Sequence, residues 1–208
     1  MVLQTNLNLF LRKAFCGLAI KKPLFYNWPI GLRFDLQTSV EEEYFAEVVH
    51  RAVTLFEEVF GLNEKIILIC QAGRFKRDKI RFSNYCFQQI NNLIRSEISY
   101  EKLRNLYDPN WVCEYYNRAI LEAEVKRISY KNIVTAIANS DYYDRRPRID
   151  LEVYFISLER EIIFNMYDNR GLNIIAANAQ TVTHLYHKYN AWLLDYDREQ
   201  MDNVFMQE

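Results

Sequence analysis

His184 and His187 stand three residues apart in a segment that reads as helix, which would place both imidazoles on one side of it. Such a pair can hold a metal or move protons. Here no H-E-x-x-H surrounds it, no cysteine is near, and His50 is the only further imidazole in the chain, so ordinary helix-surface histidines are expected. Cys16, Cys70, Cys86 and Cys113 are widely spaced and form no C-x-x-C. Cys70 and Cys86 lie inside apolar patterns, which suits small hydrophobes better than nucleophiles. Glu41, Glu42 and Glu43 stand at the start of an expected helix, where its dipole favours them, and Glu57 and Glu58 read as a solvated face. An enzyme of unfamiliar type would have to be built around Asp168, Arg170, Asp195 or His184. The chain carries no G-x-x-x-x-G-K-[ST], G-x-G-x-x-G or G-x-S-x-G, and its five glycines are little material for a phosphate-cradling loop. No cofactor or metal is expected.

Binding chemistry has more candidates. "GRFKRDKIRF" sets Arg74, Lys76, Arg77, Lys79 and Arg81 beside Phe75 and Phe82, a mixture that can grip a nucleic-acid backbone. Asp78 interrupts it, and an exposed connector explains it equally well. With Lys+Arg 26 against Asp+Glu 27, net charge −1, no global field attracts nucleic acid, and such binding would need a local patch. Nucleic acid is therefore not the expected partner. The charged loop "YYDRRPR" offers Tyr142, Tyr143, Arg145, Arg146 and Arg148, the residue types that dominate protein interfaces. In "YDNRG", Asp168, Asn169 and Gly171 supply hairpin-turn chemistry, with Gly171 free to take a positive φ. A turn does not require Arg170, which is expected to pair with Asp195 or Asp197 or to face a partner.

These side chains must be positioned by a fold of recognisable pattern. Residues 3–16 read as helix and 30–37 as an alternating, half-buried strand. Ser39 three residues before Glu42 forms a capping box, and Phe45, Val48, Val49, Ala52, Phe56, Val59 and Phe60 continue a helix that Gly61 stops. "KIILIC" (65–70) is a central strand and 73–81 a connector. Residues 84–97 and 99–107 read as helices, 111–129 as two strands, and 129–141 as helix. "IDLEVYFIS", "REIIFNMY" and "LNIIAA" are strands, and 179–194 is a closing helix. The order predicts an α+β fold, a mostly antiparallel sheet with helices on one face. One domain is expected over 1–208, with 1–26 an N-terminal helix and loop.

The N-terminal apolar residues are interrupted by Asn6 and Asn8, and Arg12 and Lys13 follow them, the wrong order for a signal peptide. No apolar run reaches a membrane span, so a cytoplasmic protein is expected. "VYFISLEREIIFNMYDNRGLNIIA" (153–176) and then "LYHKYNAWLLDYDR" (185–198) resemble a bacterial family, domain of unknown function 3885. "NWPIGLRFDL" (27–36) and "AIANSDYYDRRPRI" (136–149) resemble stretches of its longer members, and the likeness is densest over 136–198. The resemblance implies one bacterial cytoplasmic domain and transfers no catalytic residue. The expected function is a non-catalytic protein-binding module, of the immunity or antitoxin type that partners a bacterial toxin. An enzyme, and then a nucleic-acid-binding protein, are the alternatives.

Overall fold

The computed structural model describes residues 2–37, 43–75, 79–108, 110 and 114–206. Seven strands form one sheet in the order β1-β7-β6-β5-β2-β4-β3, and every neighbouring pair is antiparallel. They are β1 (Gly31–Asp35), β2 (Lys65–Phe75), β3 (Ser99–Arg104), β4 (Glu114–Glu124), β5 (Glu152–Ser157), β6 (Ile162–Met166) and β7 (Gly171–Ala176). The fold is α+β, and an α-helix closes the C-terminus.

The central strands are apolar on both sides, so both faces of the sheet need cover. On one face Ile66, Leu68 and Cys70 of β2 join Phe155, Phe164 and Ile174 in the larger core. Over it lie α2 (Tyr44–Val59), α3 (Tyr85–Gln88), α4 (Tyr130–Ala138), α5 (Thr183–Lys188) and α6 (Arg198–Phe205), each contributing buried residues. Phe56 of α2 sits at its centre, edge-on to Phe155 and Phe164 and stacked on Tyr130. On the other face Ile67, Ile69, Ile120, Tyr154, Ile156, Ile163 and Ile175 are covered by α1 (Val2–Ala14), through Leu7 and Leu11, and by the segment that follows it.

Several local readings change. Residues 99–107 are not helical: Ser99–Arg104 is the edge strand β3, paired with β4. Its helical spacing of Tyr100 and Leu103 is outweighed by the β4 ladder, which uses every residue of 99–104. The helix expected over 84–97 stops at Gln88. Beyond it the backbone bonds elsewhere, Asn91 N–H donating to Arg127 O and Ser129 N–H to Gln89 O, and Asn92 takes φ 56°. Two strands over 111–129 become the one strand β4, then a 3-10 turn at Val125–Arg127. β2 extends through Phe75 into the expected connector. The helix expected over 179–194 is divided into 3-10 turns around α5, and α6 lies beyond it. The Ser39–Glu42 capping box, Cys113 and the start of the 111–129 segment lie outside the described residues.

Candidate functional site

Most of the side chains nominated for a protein partner meet at one end of the sheet, where β6 turns into β7 and α4 leads towards β5. The β6–β7 turn is built by its own side chains. Asp168, 7% exposed, accepts the Arg170 backbone N–H at 2.7 Å. Its second oxygen accepts Arg170 Nε–H at 2.9 Å and also bonds Nη2. That bond pushes the guanidinium pKa up. Arg170 therefore pairs within the turn, not with Asp195 or Asp197. Asp197 is bound by Arg33 (2.8 Å) and Tyr26 (2.8 Å), and Asp195 by Arg198 (3.3 Å). Asn169 donates to Tyr44 Oη at 2.6 Å, which ties the turn to the first residue of α2.

Gly171 has a different role from the one expected. Among the described glycines only Gly17 has a positive φ. A Cβ at Gly171 would lie 2.3 Å from Tyr167 Oη and 2.5 Å from Phe34 O. Close approach of β1 and Tyr167, not a left-handed backbone, is what demands glycine here.

Beside this turn, Phe45 is the hub of an exposed surface. Tyr142 meets it edge-on at 4.9 Å and Tyr44 at 5.2 Å, while the Arg145 guanidinium lies over its ring at 3.3 Å. Two clefts open on either side. One of 620 Å³ is lined by Gln37, Tyr44, Asp141, Tyr142, Asn169 and Arg170, as well as Phe45. One of 530 Å³ has an apolar floor of Phe45, Ala46, Val49 and Val53 and a rim that includes His50, Lys131, Arg145 and Arg146. Tyr143, 86% exposed, projects from the same loop. Arg146 is braced by the carbonyls of Tyr143 and Arg145. Arg148 lines neither cleft and pairs with Asp150 at 3.5 Å. Phe45 was hidden from sequence reasoning because it belongs to the apolar stripe of α2. Its position in the first turn, beyond the buried run that begins at Val48, is the signal that could have found it.

Of the residues of the enzyme alternative, Asp168 and Arg170 are paired in the turn, while Asp195 and His184 have other neighbours. His184 acts electrostatically on Glu58, whose carboxylate is held low by bonds from Lys188 and Tyr189. Glu58 lies fourteen residues along α2 from Tyr44 and the turn, about 21 Å at 1.5 Å per residue. Asp168 and Asp195 are each occupied by a different arginine. Of the basic segment, Arg74 pairs with Tyr115 on the β2–β4 ladder, and Lys79 and Arg81 border a separate groove; Lys76 and Arg77 lie outside the described residues.

Behind the rim, on the α1 face, one polar row crosses the sheet: Asp35, Gly171, Tyr167, Glu152, Gln71, Arg118 and Glu101 occupy matching positions. Glu152 accepts from Gln71 (2.8 Å), Tyr154 (2.7 Å) and Tyr107 (2.9 Å). Burial and this carboxylate push the Tyr107 and Tyr154 phenols up, so both stay protonated donors. Burial pulls the Arg118 guanidinium pKa down, against the opposing pull of Glu101. A 330 Å³ cleft lined partly by Lys22, Asp141, Glu152 and Tyr167 opens beside the row. Perturbed groups can mark a reactive site. Here their polar atoms bond to one another and to Ile20 O, which anchors the segment after α1.

Residues 7–197 match the family described as Domain of unknown function (DUF3885). The chain belongs to the DUF3885 family. The Uncharacterized protein YnaE of Bacillus subtilis (strain 168) is 24% identical over 215 residues, covering 92% of this chain and 98% of that protein. No solved structure matches. In this DUF3885 chain, no helix among the described residues is long and apolar enough to cross a membrane.

Proposed function

We propose that this chain is a protein-binding module, and that its partner docks on the surface around Phe45. The observation that carries the reading is the convergence of Tyr142, Arg145, Arg146 and Arg170 around that ring, although they come from two separate loops. Tyrosine and arginine backed by a packed aromatic ring are the usual composition of an interface hot spot. The clefts on either side can receive partner side chains. Lys131, Arg145 and Arg146 have no ion pair among the described residues, and they favour a partner with carboxylates around an apolar anchor. An immunity or antitoxin role, in which the chain neutralises a bacterial toxin by binding it, accords with a site whose polar groups bind rather than react.

The test has two parts. The chain is affinity-purified from its native host, and the co-purifying protein is quantified for wild type, Phe45→Ala and Arg145→Glu. Each substitution is expected to weaken capture by about 2 kcal/mol, roughly thirtyfold. Co-expression with the product of the adjacent gene then tests the immunity role. Growth restored by wild type but not by Phe45→Ala supports it; equal protection by both removes this surface from the mechanism.

A second expectation concerns the turn itself. Asp168→Ala removes the acceptor for Arg170 N–H and the anchor of its guanidinium. It should cost about 1–2 kcal/mol in urea denaturation, whereas Arg170→Ala should cost under about 1 kcal/mol because that side chain is 64% exposed. Equal losses would mean that the exposed ion pair, and not the backbone bond, holds the turn.

A further inference from the structure

The net charge conceals a local concentration of cations along β3. Lys79 and Arg81 from one segment and Arg95 from another border a 700 Å³ groove with Phe82, Ile98 and Tyr100. Tyr100, Lys102 and Arg104 share one face of β3, so the row continues along the sheet edge. All five cations are exposed, and none has an ion pair among the described residues. Glu97, beside Arg95, is taken by Arg127 at 3.1 Å. Glu101 points to the opposite face and pairs with Arg118.

Three of the cations are held on aromatic rings. Lys79 Nζ lies 5.8 Å from the Tyr100 centroid, Arg95 Cζ 5.4 Å from Phe82, and Lys102 Nζ 3.5 Å from Tyr115. The rings fix where the charges sit while leaving the heads exposed. The same contacts occupy ring faces that would otherwise stack bases. Lysines on an edge strand also discourage strand-to-strand aggregation. That purpose accounts for Lys102 and Arg104, but not for Lys79, Arg81 and Arg95, which arrive from two other segments at the same groove.

We propose that this row binds the phosphate backbone of single-stranded nucleic acid, without reading sequence. A linear series of charges fits a linear polyanion: Lys102 and Arg104 lie about 6.6 Å apart along the strand, and Arg95, Lys79 and Arg81 extend the line. Binding is governed by counterion release rather than stacking.

The experiment is fluorescence anisotropy of the full chain with a labelled oligouridylate of about 20 nucleotides, titrated over a range of salt. Four or five phosphate contacts predict a log–log slope of about −2.8 to −3.5, hence about 50- to 130-fold weaker binding between about 50 and 200 mM salt. Lys102→Ala/Arg104→Ala should reduce that slope by about 1.4. Lys131→Ala/Arg145→Ala, in the cleft beside Phe45, should leave both affinity and slope unchanged. All these side chains are exposed, and circular dichroism verifies folding. No binding at the lowest salt would overturn the proposal. So would an affinity indifferent to the β3 variants, or complete displacement by inorganic pyrophosphate at an equal phosphate concentration, which would reveal an isolated anion site.

Discussion

Gly171→Val is expected to destabilise the fold by about 3 kcal/mol, because overpacking against backbone cannot be relieved by a rotamer change. For a chain of this size that lowers the melting temperature by about 6–12 °C. The Cβ would meet the Phe34 carbonyl oxygen at 2.5 Å and the Tyr167 hydroxyl at 2.3 Å, so β1 or the turn would have to move. Gly171→Ala should lose most of the same stability. Tyr167→Phe in the Gly171→Ala background removes the hydroxyl contact but leaves Phe34, and should recover only part of the loss. Gly17 provides the contrast. Its φ is +80° and its Cβ would have open space, so Gly17→Ala should cost about 1 kcal/mol through backbone strain alone. An unchanged melting temperature for Gly171→Ala would mean that β1 and β7 are not held at the spacing described.

Arg118→Ala is expected to cost about 3–5 kcal/mol, the usual penalty for removing one partner of a buried ion pair. The guanidinium, 6% exposed, lies 3.6 Å from Glu101, whose side chain is 14% exposed. It also donates to Gln71 Oε1 at 2.8 Å and Ile20 O at 3.3 Å. Truncation leaves the Glu101 carboxylate with Gln4 Nε2–H (2.7 Å) but no cation, takes the donor from Gln71 Oε1, and weakens the anchor of the segment after α1. Arg118→Met/Glu101→Leu removes both charges, so it should recover most of the loss. Urea denaturation of the two single variants and the double variant measures the coupling. A loss below about 1 kcal/mol for Arg118→Ala would mean that water compensates these groups and that the row is not a buried network.

Elements whose signal is local were legible. The apolar stripe of α2, the unbroken run of β2 and the strands on either side of Asp168–Gly171 each specify their conformation within a few residues. β3 was not, because Tyr100, Leu103 and Tyr107 match helical spacing and not strand alternation; the choice is made by pairing with β4, which begins ten residues later. The helix expected at 84–97 fails for the same reason. The Asn91 N–H donates to Arg127 O and the Gln89 carbonyl accepts from Ser129 N–H, a non-local alternative invisible in the run of apolar residues. The residues proposed to face a partner were nominated by type, all but Arg170 from one loop. Their focus, Phe45, was not, since a buried core position and a half-buried hub at the rim share the same spacing. The polar row draws Glu101, Arg118, Gln71 and Glu152 from four strands and Tyr167 from the residue after β6, and only the registers place them in line. Arg170 needed the turn geometry, because its acid is two residues away rather than at the end of the chain.

We propose that a partner binds around Phe45. Hydrogen–deuterium exchange of the chain, alone and in the complex recovered from its native host, tests it most directly. Protection should concentrate in the first turn of α2, the Asn139–Arg146 loop and the Tyr167–Gly171 turn. Protection confined to other faces, with these three segments unchanged by the partner, would contradict it.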